Sequence, residues 1–444
     1  MNYFMLLMLT LFLLLLFTIN MKLTNNDLIS PNTIIYIMML FSIIIAAFFY
    51  KKVGFILSPE ATLILIFSVL IFSIPCFMIP HQVRNSIVLK KTEISFYGSK
   101  IIIFSLFFVL LTTILLYREV TKVSELIGYV RDSELPMLYY YRNATLNGSE
   151  AISSRSNIVG QMTIVSFAIS YLIIVDFSKK LVFGIKYFSK KIVFLELITI
   201  FAYLFQCILS GGRTQFLYYI EALIFSTLFY LQKVRGRSIE TKYLKKIMLS
   251  IILVFISFYF LGGLTGKTAR LDFGSTLFVY LGSPIPAFSQ LVQNNISFVN
   301  EYWGSNVFIG IFELLGKFGY KINVGQEVAP NVNVGNLVTN IYGSFGRIYA
   351  SFGLIGLFFY NLFLGMFYQM IYVNLQRRKV KLELYLVIYL IILKFLFDYC
   401  IEERFFLSVI SLGTVLRIFY AVLFYYLFNK LVVNISKKDE VKKY

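Results

Sequence analysis

Two arginines follow glycines beside long apolar runs, and together they could bind an anion. Arg213 ends the stretch SGGR (210–213), and Arg347 follows two glycines in NIYGSFGRIYASFGLIG (340–356). Glycines permit a tight reversal with exposed backbone N–H groups, and a guanidinium pairs bidentately with phosphate oxygens. We therefore predict that Arg213 and Arg347 clamp a phosphate group and act as the catalytic residues. The alternative for each is a simple anchor at the membrane interface.

Further side chains near these arginines could contact a substrate. Tyr342 and Tyr349 flank Arg347, and aromatic faces stack on sugar rings. The segment DYCIEERFF (398–406) contains Glu402 and Arg404. Its carboxylates could accept a proton from an attacking hydroxyl, or they could simply pair with arginines. We assign Glu402 and Arg404 to substrate binding and leave a general base unassigned.

The segment GGLTGKTAR (262–270) contributes two more cations, Lys267 and Arg270. It lacks the G-x-x-x-x-G-K-[ST] spacing and the preceding strand of a phosphate loop. We therefore retain Lys267 and Arg270 only as additional phosphate contacts. Ionisable residues inside apolar runs are costly to place and indicate either an internal ion pair or a proton path; they are Glu196, Glu221 and Lys394.

Histidine and cysteine are too sparse for common metal chemistry. His81 is the only histidine, and the three cysteines (Cys76, Cys207 and Cys400) lie far apart beside apolar runs. This pattern provides neither a metal-ligand cluster nor a disulfide framework. We expect no metal site and no cofactor.

The composition is that of an integral membrane protein. Of the 444 residues, 59% are hydrophobic and 14% are charged, and the mean hydropathy is +0.78. Many apolar runs approach the roughly 20 residues of a helical span. None shows the alternation of a barrel strand. We predict an all-α polytopic fold that forms a single transmembrane domain over residues 1–444.

The apolar runs predict about eleven transmembrane helices, with a range of about 10 to 12. The first run has no basic segment before it and no small-residue cleavage site after it, so we interpret it as a retained span. The predicted spans are 3–19, 33–50, 61–80, 101–117, 158–176, 192–209, 214–232, 247–264, 353–373, 384–399 and 407–428.

The net charge of +19 is concentrated in short loops and in the tail. Basic loops at 177–191, 233–246 and 374–383 should be cytoplasmic by the positive-inside rule, with anionic membrane lipids as partners. Nucleic acid is not an expected partner. The C-terminus is then inside and the N-terminus outside, which leaves the pair Lys51–Lys52 on the outer side against the rule.

Two long connections, 118–157 and 265–340, fall on the outer side and are nearly charge-balanced. Connections of this length are seldom bare coil. We expect short interfacial helices in 265–340, with Trp303 among them. This larger loop should cover the cavity at which Arg213 and Arg347 converge.

The order of these features resembles the oligosaccharide repeat-unit polymerases, the Wzy-type O-antigen and capsular polysaccharide polymerases. The residues that carry the resemblance are SGGR (210–213), VYLGSPIPAFSQL (279–291) and GNLVTNIYGSFGRIYASFGLIGLFFYNLFLGMFYQMIY (335–372). The motifs cover roughly residues 190–375. The chain departs from the family pattern Y-x-D-F-G, because Ser351 stands where an acid is often found.

The resemblance implies a reaction at the outer face of the bacterial cytoplasmic membrane. A glycan on undecaprenyl diphosphate is transferred to the terminal sugar hydroxyl of an incoming lipid-linked repeat unit. The lipid diphosphate leaves, so the reaction needs no nucleotide. Outer arginines would hold the diphosphate and stabilise its developing charge. A chain-length regulator protein is a candidate partner.

Two other functions fit the same pattern. An O-antigen ligase would share the topology and the outer arginines, but a histidine in the large outer loop would favour it and 265–340 contains none. A flippase or transporter of lipid-linked oligosaccharides should carry cations along a path through the bundle. Here the informative arginines are predicted at one face, which favours chemistry over transport.

Overall fold

The computed structural model describes eleven stretches of the chain. They are residues 2–80, 88–89, 95–133, 135–146, 156–211, 213–236, 259–263, 272–298, 303–320, 329–378 and 380–441. The predicted span 247–264 lies mostly outside the described residues. His81, Lys267 and Arg270 also lie outside them.

Helices dominate the described chain. In sequence order they are α1 Asn2–Thr24, α2 Pro31–Val53, α3 Pro59–Met78, α4 Ser99–Leu126, α5 Met137–Leu146, α6 Asn157–Phe183, α7 Lys190–Leu209, α8 Arg213–Arg235, α9 Phe273–Leu277, α10 Pro284–Gln293, α11 Ile309–Lys317, α12 Gly343–Gln376, α13 Leu382–Asp398 and α14 Leu412–Val441. Short π-helical segments follow α9 (Phe278–Gly282) and α13 (Phe405–Val409), and a 3-10 turn lies at Ile185–Tyr187.

Eight of these helices are long and apolar enough to cross a membrane: α1, α2, α3, α4, α6, α7, α12 and residues 412–431 of α14. They confirm an all-α, multi-pass membrane protein. Helices α8 and α13, of 23 and 17 residues, coincide with predicted spans but fall outside this set. Three tyrosines, Gln215 and Glu221 make α8 more polar than its neighbours. The total of eleven spans stays a prediction.

Local sequence explains where several helices begin and how closely they pack. Proline occupies the first position of α2 and of α3, where no N–H is needed, and Ser58 Oγ accepts a 3.0 Å hydrogen bond from Ala61 N at the start of α3. Helix α3 packs along α12. A Cβ on Gly365 would lie 2.2 Å from Phe72 O, so this contact requires glycine, as is common between membrane helices.

The helix ends form two groups at opposite ends of the bundle. At one end, Lys52 Nζ lies 3.1 Å from Asp272 Oδ2, which ties α2 to the long 265–340 connection. At the other end, Lys179 Nζ lies 2.7 Å from Glu383 Oε1, and Lys233 donates to Gln376 O. We call these the loop end and the basic end. Lys52 therefore has a carboxylate partner at the loop end.

The 265–340 connection contains the short helices α9, α10 and α11 and also a β-hairpin. That these helices lie at the outer interface stays a prediction. Strand β1 (Val332–Val334) pairs antiparallel with β2 (Leu337–Thr339), with Val334 opposite Leu337. The hairpin turn lies against the end of α2: Asn336 N donates to Val53 O at 3.1 Å, and a Cβ on Gly335 would lie 1.9 Å from the same oxygen. Trp303 lies in a turn before α11 and is largely exposed.

Several helix boundaries differ from the predicted ones, and two of them adjoin the 118–157 and 265–340 connections. Helix α4 continues to Leu126, inside the predicted 118–157 loop, which also contains α5. Helix α12 begins ten residues before the predicted span 353–373. Gly353 has non-helical angles (φ 65°, ψ −160°) and divides α12 there, so the predicted start coincides with a kink.

Candidate functional site

The segment 398–406 is joined to the start of α12 by backbone hydrogen bonds. Gly343 N donates to Ile401 O at 3.1 Å, and Ser344 N donates to Tyr399 O at 3.0 Å. The first two N–H groups of α12 are therefore satisfied within the protein. The structure thus brings together two segments that the sequence singled out separately.

Four charged side chains then form a chain across this junction. Arg347 Nη2 lies 3.6 Å from Glu402 Oε1. Glu402 Oε2 lies 2.5 Å from Arg404 Nη2, and Arg404 Nε lies 3.8 Å from Asp398 Oδ2. Glu402 therefore lies between the two arginines, and each cation has an anionic neighbour.

Arg347 is the most buried member of this chain. Its side chain is 3% exposed, its Nη1 donates to Asn306 O at 2.8 Å, and its guanidinium lies 5.7 Å from the ring centroid of Phe298. It does not belong to the lining of the cavity described next. In this arrangement Arg347 orients Glu402 and connects α12 to the turn that contains Asn306.

A cavity of about 300 Å³ opens beside the exposed members of the chain. Arg404, Glu402 and Asp398 form one wall, and residues of α9, the following π-helical segment and Asn340 form the others. Thr214 of α8 also lines it. Arg213 is the first residue of α8 and so lies next to Thr214 in sequence, but its side chain is not among those described.

The cavity adjoins an apolar groove of about 150 Å³ that extends toward the basic end. The groove is formed mainly by α2, α8 and α13. Both spaces share four lining residues: Leu217, Leu281, Asp398 and Ile401. At its far end the groove reaches Leu28 and Ile29, between α1 and α2. A pocket with a charged wall at the loop end therefore lies beside an apolar groove.

The three carboxylates beside the cavity differ in their hydrogen-bond partners and in their exposure. Tyr218 Oη donates to Asp398 Oδ2. Glu403 is fully buried and accepts bonds from Tyr360 Oη (2.9 Å) and from the backbone N–H groups of Phe406 and Leu407. Burial raises the pKa of Glu403 above its usual range. Glu402, at 29% exposed, is the most accessible of the three.

Arg404 keeps its charge in this setting. Burial acts to lower its pKa, but nearby Tyr218, Glu402 and Asp398 outweigh burial and raise the pKa above its ordinary value. The side chain is 28% exposed. Its Nη1 makes no hydrogen bond to the described residues, so one face of the fork remains available to a ligand.

The two candidate stacking tyrosines lie in packed surroundings. Tyr342 donates to Pro330 O at 2.7 Å and packs edge-on to Phe298; burial raises its pKa to about 12. Tyr349 lies edge-on to Phe288 with ring centroids 5.6 Å apart. Neither tyrosine lines the cavity beside Arg404. Their role in binding sugar stays a prediction.

Sequence reasoning missed one cation that the structure makes prominent. Arg417 lies in the first turns of α14, within the apolar run 407–428, and lines a separate cavity at the loop end. The feature that could have identified Arg417 from the sequence is a lone arginine near the start of an apolar span. Within the described parts of the chain, no group of three or more His, Cys, Asp or Glu residues could hold a metal ion.

Fold and cavities together define a multi-pass, predominantly helical membrane protein in which a pocket with charged residues at one end adjoins an apolar groove. No family model matches the chain, and no protein of assigned function or solved structure is detectably similar to it. Function must therefore be argued from the site itself.

Proposed function

We propose that the protein is a membrane glycosyltransferase that polymerises lipid-linked oligosaccharide repeat units. The observation that carries the proposal is that the Arg404 cavity and the apolar groove lie side by side and share four lining residues. A polyprenyl diphosphate has the same two parts, a charged head and a long hydrocarbon chain. The loop end would face outward and the C-terminus would be cytoplasmic, in the cytoplasmic membrane of a bacterium.

The groove would orient the donor more than it would increase its affinity. The acyl chains of the bilayer are as apolar as the groove, so a lipid gains little free energy when its chain moves from the bilayer into the groove. What the groove supplies is a fixed direction that brings the diphosphate to Arg404. Positioning of this kind lowers a reaction barrier by removing the entropy cost of orientation.

The proposed step exchanges one glycosidic bond for another. The acceptor hydroxyl oxygen attacks the anomeric carbon of the donor, and the bond from that carbon to the diphosphate oxygen breaks. The hydroxyl proton passes to Glu402, the most accessible carboxylate of the cavity. Arg404 donates to the leaving diphosphate through Nη1 and stabilises the charge that develops there.

The proposal gives Arg213 and Arg347 different roles. Arg213 begins α8 beside Thr214, which lines the cavity, and it remains the candidate second diphosphate ligand. Arg347 positions Glu402 from behind. The cations Lys267 and Arg270 remain candidate phosphate contacts, and a chain-length regulator remains a candidate partner. No nucleotide, metal or other cofactor takes part in the step.

The test is deletion of the gene in its host, followed by complementation with wild type or Arg404→Ala. A polymerase defect accumulates single lipid-linked repeat units at the outer face, and polymer returns only with wild type. Accumulation of finished polymer still attached to lipid would instead identify a ligase. Repeat units confined to the inner face would identify a flippase, and either result would overturn the proposal.

A further inference from the structure

A second polar cavity lies at the loop end, on the other side of the first turn of α8. Its volume is about 400 Å³. Residues from α4, α5, α6, α7, α8 and α14 line it, among them Thr214, which also lines the Arg404 cavity. The two cavities are therefore neighbours that share one wall.

Arg417 is the charged residue among the described residues that line this cavity. Its guanidinium lies 4.7 Å from the ring centroid of Phe167, a cation–π contact. The side chain is partly buried, and its Nε, like that of Arg404, is buried without a hydrogen-bond partner among the described residues. Of the described residues that line the cavity, none is acidic. Arg347 and Arg404, by contrast, each face a carboxylate.

A guanidinium in such a position favours a bound anion. Removing a cation from water is expensive unless an opposite charge or hydrogen-bond acceptors replace the water. Phe167 offers only a weak replacement through its ring. An incoming oxyanion would provide the missing acceptor and could bond two N–H groups at once.

The rest of the lining suits a sugar. Gln206 Oε1 accepts a 2.8 Å bond from Ser166 Oγ, which holds the amide in place at the cavity wall. Other lining residues are hydroxyl, amide and aromatic side chains, which match the hydroxyls and C–H faces of a pyranose ring; they include Thr145, Thr163, Tyr203, Ser210 and Gln215. An isolated inorganic anion would leave most of this surface unused.

We propose that the Arg417 cavity binds an acidic sugar of the acceptor glycan, whose anionic group is a carboxylate or a phosphate ester. The inference rests on the proposed function, because it assigns the acceptor a place beside the Arg404 cavity. The shared wall at Thr214 would allow one glycan to extend from one cavity into the other. It also implies that the repeat unit carries an acidic sugar.

Binding to the purified full-length protein in nanodiscs tests this, with four probes titrated in turn. They are a glucuronosyl-glucose disaccharide, glucose 6-phosphate, neutral cellobiose and inorganic phosphate. At least one acidic sugar should bind about tenfold or more tightly than cellobiose and inorganic phosphate, as a charge-assisted bond plus ring contacts requires. The relative affinity of the two acidic sugars identifies the anionic group.

Three variants show which cavity binds the sugar. Arg417→Gln should reduce acidic-sugar binding by about tenfold or more, whereas Arg417→Lys retains part of it because the charge remains. Arg404→Gln should weaken undecaprenyl diphosphate binding and leave the acidic sugar unaffected, so the two sites can fail separately. Unaltered thermal unfolding shows that the variants are folded. Equal affinity for cellobiose and the acidic sugars, binding of phosphate as tight as theirs, or no effect of Arg417→Gln would overturn the proposal.

Discussion

The guanidinium of Arg347 lies 3.6 Å from the carboxylate of Glu402, on the buried side of that carboxylate. Arg404 contacts the other oxygen of Glu402, at 2.5 Å, from the side of the cavity. Arg347, which the sequence ranks first, therefore lies behind Glu402, whereas Arg404, which it ranks second, lines the cavity. Substitution of Arg347 and substitution of Arg404 should therefore have different effects.

Arg404→Ala should abolish polymer formation while the protein remains inserted in the membrane. Arg404→Lys should retain only a small part of the activity, because a point charge lacks the planar fork that binds two phosphate oxygens. Polymer length and unpolymerised repeat units can be followed on gels of lipid-linked glycan. Lys186→Ala, an exposed cation at the basic end, is the matched control and should leave the polymer unchanged.

Arg347→Ala should act first on stability. It removes a buried donor from Asn306 O and a charge from beside Glu402, which costs about 1–3 kcal/mol. The apparent Tm in detergent should fall, and Arg347→Lys should recover part of the loss. A variant with the wild-type Tm but no diphosphate binding would show that Arg347 contacts the ligand directly.

Filling the groove should make activity depend on lipid length. Ile224→Trp or Leu228→Trp places a bulky ring in the groove, several turns from Arg404. Transfer from an undecaprenyl donor should fall strongly, while transfer from a farnesyl donor, whose chain is too short to reach the ring, should change little. An equal effect on both donors would show that the chain does not occupy this groove.

Protonation of Asp272 should weaken the attachment of the 265–340 connection to the end of α2. Its hydrogen bonds to Ser275 and its ion pair with Lys52 hold its pKa below the ordinary value of 3.8. A lowered pKa means that the stabilisation is present above pH 3.8 and is lost as pH falls through the lower, folded value. Hydrogen exchange in α9 should report this loss.

Asp272→Asn provides the control for that measurement. Asparagine still caps the helix but does not titrate, so its exchange rate should not change with pH in this window. A variant that keeps the same pH dependence as wild type would exclude Asp272 as the titrating group.

Gly335→Ala should release the hairpin of the 265–340 connection. The added Cβ would lie 1.9 Å from Val53 O, and the positive φ of 58° disfavours alanine as well. Limited proteolysis should then cleave the connection faster. Gly316→Ala in α11, where a Cβ meets nothing within 4 Å, should be cleaved at the wild-type rate.

Much of the architecture was readable from the sequence because membrane spans depend on local composition. Apolar runs predicted α2, α3 and α7 to within about three residues at each end, since in a bilayer every backbone polar group must bond within its own helix. Helices in the 265–340 connection were also expected, but the hairpin was not. Its strands have three residues each and acquire their stability from docking on α2.

The surroundings of charged side chains were harder to predict, because they depend on partners that are far away in the sequence. The lysine-rich segment 177–191 predicted contacts with lipid headgroups. Lys179 and Lys180 are instead 1% exposed and bridge Asp176 to Glu383 and Glu196. No local pattern distinguishes a lysine that faces lipid from one whose carboxylate partner is on another helix.

The sequence by itself determined that the chain is a multi-pass helical membrane protein and which segments carry its unusual charges. Only the tertiary structure decided which of those charges meet. It joined segment 398–406 to the start of α12, buried Arg347 behind Glu402 and left Arg404 facing a cavity. It also showed that Arg417 has a cavity of its own. Hydropathy is a property of each segment, whereas exposure and pairing depend on how the helices pack.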